Sequence, residues 1–143
     1  MEVVVALSSN SRTTAGVIVL TVLAVELGGL TVLRLVRGQH PATEFQRAFA
    51  RAGHAHAGVF VILALVSQIL VDATELDGAW EFLARYGTAA AAVLFPAGFF
   101  LSSMGRDRVA PSRLIVLVYV GAAALAAAAL SLGIGLLTAG DPR

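Results

Sequence analysis

Few side chains in this sequence could do chemistry inside a lipid-soluble protein, and most of them gather in one stretch. Arg47-Ala48-Phe49-Ala50-Arg51-Ala52-Gly53-His54-Ala55-His56-Ala57-Gly58 carries two of the three histidines, and an apolar run to Val71 follows it. Ionisable groups at membrane depth are costly and mark pathways, relays or ligand counter-ions. Glu26 stands alone in a second apolar run, Ala15 to Leu33, and Tyr119 lies in a third. An imidazole titrates near neutral pH and binds metals or haem iron. A carboxyl within reach of it could hand over a proton and take one back.

The elements that carry these groups restrict how they meet. At 100° per residue, His54 shares a stripe with Arg47, Arg51, Gly58, Val61, Leu65, Gln68 and Asp72. That stripe is polar at both ends and is expected to face the bundle interior. His56 is turned about 160° away, with Phe49, Ala52, Phe60, Leu63 and Ser67 on its side. Its stripe is expected against lipid, a neighbouring helix or another subunit. The two histidines therefore cannot chelate one metal from a regular helix, though each can serve its own partner.

Helical rise sets the depths. Glu26 lies roughly 12 Å beyond Arg34, while His54 and Tyr119 lie roughly 10 Å beyond Arg47 and Arg113. Three helices thus deliver a carboxyl, an imidazole and a phenol to one level, which makes Glu26, Arg51, His54 and Tyr119 the candidate buried polar site. With His54 as partner, Glu26 could exchange a proton. With Arg51 it would form a fixed bridge. Each residue also has a purely structural role open to it: Glu26 as a bundle-stabilising group, His54 as a hydrogen-bonding one, His56 as an interfacial one. His40 reads as a loop residue, and the Ala and Gly runs of the last two spans read as close-packing surfaces.

Composition makes lipid the solvent. Of 143 residues, 58% are hydrophobic and only 13% charged, where soluble domains carry about 25% charged residues. The length is room for one domain, 1–143. No Cys is present, so disulfides, thiolate metal sites and c-type haem attachment are excluded. All ten basic residues are Arg, which removes Schiff-base and lysine-nucleophile chemistry. No basic patch interleaved with aromatics points to nucleic acid. Phosphate-loop, dinucleotide, HExxH and GxSxG patterns are absent as well, so nothing in the chain spells a self-contained enzyme.

The hydropathy pattern predicts an all-α, four-transmembrane-helix bundle, up-down-up-down with short loops, with spans at about 14–36, 43–72, 79–104 and 112–138. Met1 to Leu7 does not read as a signal peptide, because Glu2 replaces positive charge and the apolar run is short. The first span is therefore expected in the mature protein. Thr13 or Thr14 is the expected cap of the first helix, and Gly38 its stop. Thr43 with Gln46 forms a capping-box pattern for the second. Pro96 should bend or loosen the third, and Ser112 should cap the fourth. Arg34, Arg37, Arg47, Arg51, Arg106, Arg108 and Arg113 flank the loops joining spans 1–2 and 3–4, against Arg12, Arg85 and Arg143 on the other side. That asymmetry places those loops in the cytoplasm and both termini outside.

His54-Ala55-His56 resembles the His-x-His of haem–copper oxidases, where the two histidines face different metal centres. The resemblance implies haem or metal at His54 and His56. The stretches Arg51–Gly58 and Pro96–Arg108 resemble those of small four-helix bacterial membrane proteins, which implies the fold and an inner-membrane location but no activity. Three functions follow as expectations: an accessory or interaction subunit of a membrane complex or homo-oligomer; a haem- or metal-binding membrane protein using His54 or His56; and a proton-coupled carrier using Glu26 and His54.

Overall fold

Each apolar run forms a helix long enough to cross a hydrocarbon core. The computed structural model describes residues 7–140. It contains α1 (Ser9–Val36), α2 (Glu44–Val71), α3 (Gly78–Ser103) and α4 (Val116–Thr138), with one 3-10 turn, Arg113–Ile115, leading into α4. The chain is an all-α, up-down-up-down bundle, and all four helices are long and apolar enough to span a membrane. The expectations that rest on Met1–Val5, Ala6 and Arg143 lie outside the described residues.

Local chemistry explains the boundaries. α1 starts about five residues earlier than the expected 14, because Ser8 rather than Thr13 or Thr14 caps it, its side chain accepting from the Ser11 N–H at 3.1 Å. α1 ends as expected at Gly38, whose φ of 69° suits glycine. The Gly38 and Gln39 N–H groups donate back to the Leu35 and Arg34 carbonyls at 3.2 and 3.0 Å, a Schellman closure. Thr43 and Gln46 form the full capping box. Ser112 caps the turn before α4 by accepting from the Leu114 N–H. Pro96 is accommodated inside α3, which continues to Ser103.

The helices pack in chain order, with α2 and α3 at the centre, α1 against α2 and α4 against α3. The buried core is built largely from small side chains, with Ala64, Ala84, Ala91 and Ala128 fully enclosed. Hydrocarbon supplies no hydrophobic drive between helices, so close contact between small residues is what joins them. Gly98 shows how close: a Cβ there would lie 2.6 Å from Val118 Cγ2 and 2.7 Å from the Val118 backbone nitrogen. At one end, Gln46 Nε2 donates to the Ser103 and Gly105 carbonyls at 2.9 and 2.8 Å, and Thr43 Oγ1 donates to the Arg108 carbonyl. At the other, Ser8 meets Asp72, and Leu76 packs on Gly135. The described starts of α1 and ends of α4 therefore share the end that holds the α2–α3 loop.

The Gly98 contact leads to a first expectation. Gly98→Ala should lower stability in detergent by roughly 1–3 kcal/mol, because the Val118 backbone cannot move aside as a side chain could. Gly133→Ala, where nothing lies within 4 Å, should be neutral or slightly stabilising. Thermal unfolding of the two variants side by side checks this, and equal behaviour would remove the close α3–α4 contact as a stability determinant.

Candidate functional site

Two groups of polar side chains bear on function, and only one is tied into a network. That group centres on Arg85, seven residues or about 10 Å of rise into α3, and only 4% exposed. Its Nη2 donates to Asp72 Oδ1 at 3.1 Å and to Glu81 Oε1 at 2.9 Å, Nε donates to the same Glu81 oxygen at 3.3 Å, and Nη1 donates to Ser11 Oγ. Ser11 Oγ in turn donates to the Gln68 carbonyl at 3.0 Å, and Gln68 Nε2 donates to the Arg85 carbonyl at 2.8 Å. Ser8 donates to Asp72 through its backbone N–H at 2.8 Å and its hydroxyl at 3.0 Å. Three helices are tied by one guanidinium whose charge two carboxylates neutralise. Partial burial pushes the Asp72 carboxyl up, but hydrogen bonds from Ser8, with Arg85 beside it, outweigh it and hold the group below its ordinary value.

Sequence reasoning counted Arg85 only toward orientation and missed this cluster. The signals were present: an arginine inside a span, Glu81 four residues before it, Asp72 in the adjoining loop and a serine pair at the start of α1. Gln68 and Asp72 were assigned to the His54 stripe, but they close this cluster instead.

The second group is the expected one, and its members are separated. The α1 face that meets α2 is set by Ile18, Thr21, Val25, Gly28 and Val32, at spacings of three and four, and all are buried or half-buried. Glu26 follows Val25 by one residue, so it is rotated about 100° off that face and is exposed. It makes no hydrogen bond or ion pair among the described residues. The expectation that Glu26 points into the bundle is corrected accordingly. Tyr119 is 67% exposed on α4, on the opposite flank from α1, and does not join the others. Arg51 is exposed on α2.

His54 points at α1, where Gly29 makes room for its ring and Gly28 lies beside it. Nδ1 lies 3.7 Å from where a Cβ on Gly28 would stand, and Cε1 and Nε2 lie 3.0 and 3.2 Å from one on Gly29. Nδ1 is buried and has no hydrogen-bond partner. Because α1 and α2 are antiparallel, Glu26, three before Gly29, and Arg51, three before His54, flank this contact on the same side. Each is displaced about 4.5 Å along the helix, toward opposite ends. On the other side a cavity of about 360 Å³ opens between α1, α2 and α3, lined among others by Gly28, His54, Ala57, Pro96 and Phe100.

His56 serves a different interface, as its opposite stripe implied. Its Nδ1 donates to the Ala52 carbonyl at 2.7 Å. The ring stacks on Phe95 and Phe99 of α3, with centroids 5.4 and 5.2 Å apart, and meets Phe60 edge-on. A neighbouring helix packs on it and leaves it half-buried. No three His, Asp or Glu side chains among the described residues converge as a metal cluster would. His54 and His56 accordingly offer one imidazole to each of two interfaces. Compared with known proteins, the chain matches no family model, no curated protein and no solved structure.

The Arg85 cluster leads to a pH expectation. A carboxyl whose folded-state value is depressed adds stability that is present above its ordinary value, 3.8 for Asp72, and that is lost as pH falls through the folded value. Thermal stability in detergent should therefore hold level from about pH 8 to pH 5 and drop below about pH 4. Asp72→Asn should cost about 1–3 kcal/mol at neutral pH, with Glu81 still facing the guanidinium, and should flatten the acid drop. An unchanged acid profile in that variant would assign the drop to other carboxyls.

Proposed function

We propose that this chain is an accessory, interaction subunit of a membrane complex, and that it docks sideways through the face shared by α1 and α2. The observation that carries this reading is Glu26. Its carboxyl is exposed on α1 inside a span, beside Leu23, Leu27 and Leu30, which are exposed as well. Hydrocarbon cannot solvate a carboxylate, and such groups are met by a partner or a water-filled cavity. α1 is also the most loosely held helix, with only Ser11 and Ile18 buried along it. A partner helix laid along it would cover the apolar residues and bring a base or hydrogen-bond donor to Glu26. Arg51, exposed on the same side, offers the partner a cation in return.

The location that fits this role is the bacterial inner membrane, with the α1–α2 and α3–α4 loops in the cytoplasm, as the arginine asymmetry favours. Reporter fusions check it: one at Asp77 should be active only outside, one at Asp107 only in the cytoplasm. The opposite pattern would invert the topology.

The docking reading is checked in native membranes with a photo-activated amino acid at Leu23 or Leu27, and as a control at Leu130, exposed on α4. The first two positions should capture one discrete protein, and Glu26→Ala should abolish that capture while leaving the melting temperature unchanged. Capture that is indifferent to Glu26, or labelling of lipid alone at all three positions, would refute the reading.

A further inference from the structure

Independently of the docking role, we infer that the cavity beside His54 is a binding site for a lipid-soluble quinone or quinol. Its volume of about 360 Å³ falls within the roughly 300–1,000 Å³ of small-molecule sites. It lies within the spanning part of the bundle, and two of its lining residues, Ala24 and Val93, are exposed on the outside. The way in is therefore from hydrocarbon, which selects a molecule that partitions into the bilayer.

Three features of the lining set the chemistry of the occupant. The first is the His54 imidazole, which lines the cavity and whose Nδ1 is buried against Gly28 and Gly29 and has no partner. A buried polar nitrogen left unpaired costs about 1–3 kcal/mol, and a modest ring rotation toward the cavity would let it pair with a ligand oxygen. The second is backbone: Pro96 has no N–H to give the Ala92 carbonyl, so α3 presents that acceptor without its usual helical donor. Both residues line the cavity. The third is Phe100, which also lines it and is the only phenylalanine without an aromatic ring partner among the described residues.

A neutral imidazole gives a hydrogen bond to a carbonyl or takes one from a hydroxyl, according to its tautomer. The Ala92 carbonyl, without its i+4 donor, would take one from a hydroxyl. A flat ring seats against Phe100. A planar ring that carries carbonyl or hydroxyl oxygens and trails an apolar chain matches all three. A fatty acid would bring a carboxylate into a lining with no cation, since Arg51 lies on the other side of the α1–α2 contact. A plain acyl or prenyl chain would leave Nδ1 unpaired.

The test uses the full chain in detergent and a benzoquinone bearing a ten-carbon chain as probe. Calorimetric titration should show saturable binding to the native protein, and the probe should raise its melting temperature. Ala24→Phe places bulk at the exposed rim, where it does not disturb the core, and should weaken binding at least tenfold. His54→Phe should weaken it about tenfold while keeping the ring volume. An apolar hydrocarbon of equal chain length should bind at least tenfold more weakly than the quinone. The inference is overturned if the native protein does not bind the quinone, if Ala24→Phe binds it as the native protein does, or if the hydrocarbon matches it. A haem absorption band in the purified protein that is lost in His54→Phe would likewise overturn it, in favour of a porphyrin at the same imidazole.

Discussion

Hydrocarbon forms no hydrogen bonds, and this constraint decides where every polar atom in the bundle can sit. The clearest response to it is the guanidinium of Arg85. One charge placed inside α3 is met by Asp72, Glu81 and Ser11, drawn from three helices, and the remaining donors and acceptors nearby link Gln68 and Ser8 into the same set. Breaking a buried pair by removing one partner costs about 3–5 kcal/mol, while an intact pair adds little net stability. The cluster therefore contributes register more than raw stability. It fixes α1 against α2 and α3 at one end, while packing between small residues fixes α3 against α4.

With that end closed, the histidine level behaves differently. The contact between α1 and α2 there depends on Gly29, where a Cβ would stand 3.0 Å from the His54 ring, while one on Gly28 would make only ordinary contact with it. Beyond them α1 no longer touches α3 closely, and Pro96 and Ala92 border the resulting gap. No ion pair or side-chain hydrogen bond ties the helices at this level as Arg85 does at the other. His56 is the contrast: its nitrogen is satisfied within α2 and its ring is covered by phenylalanines, so it serves the α2–α3 contact alone.

The fold was legible because lipid spans are written in length and hydropathy, which are local. The Schellman stop at Gly38 and the capping box at Thr43 were legible for the same reason. Lateral facing was not. A single wheel placed His54, Gln68 and Asp72 on one stripe, and they do lie near one face of α2, but they answer to different partners. Glu26 was expected to turn inward because an unpaired carboxyl is costly. The structure turns it outward because the α1 stripe that packs on α2 runs through Val25 and Gly28. The cost argument itself stands, and it is the ground for proposing a partner outside the chain. Arg85 was hidden by the reverse error: counted as a loop-flanking charge, it is the most enclosed ionisable group among the described residues.

The two open features of the structure meet at one ring. Nδ1 of His54 lies buried against both glycines, 3.7 and 3.8 Å from the Cβ positions of Gly28 and Gly29, and Nε2 lies 3.2 Å from that of Gly29, the side on which Glu26 and Arg51 flank the contact. An imidazole carries one proton between its two nitrogens when neutral, so the tautomer favoured on one side fixes the hydrogen bond available on the other. A ligand oxygen that accepts from Nδ1 leaves Nε2 as a bare acceptor toward the Glu26 side, and a ligand hydroxyl that donates to Nδ1 leaves Nε2 as a donor. If both proposals hold, the oxidation state of a bound quinone would set the hydrogen-bonding character of the proposed docking face through a single side chain.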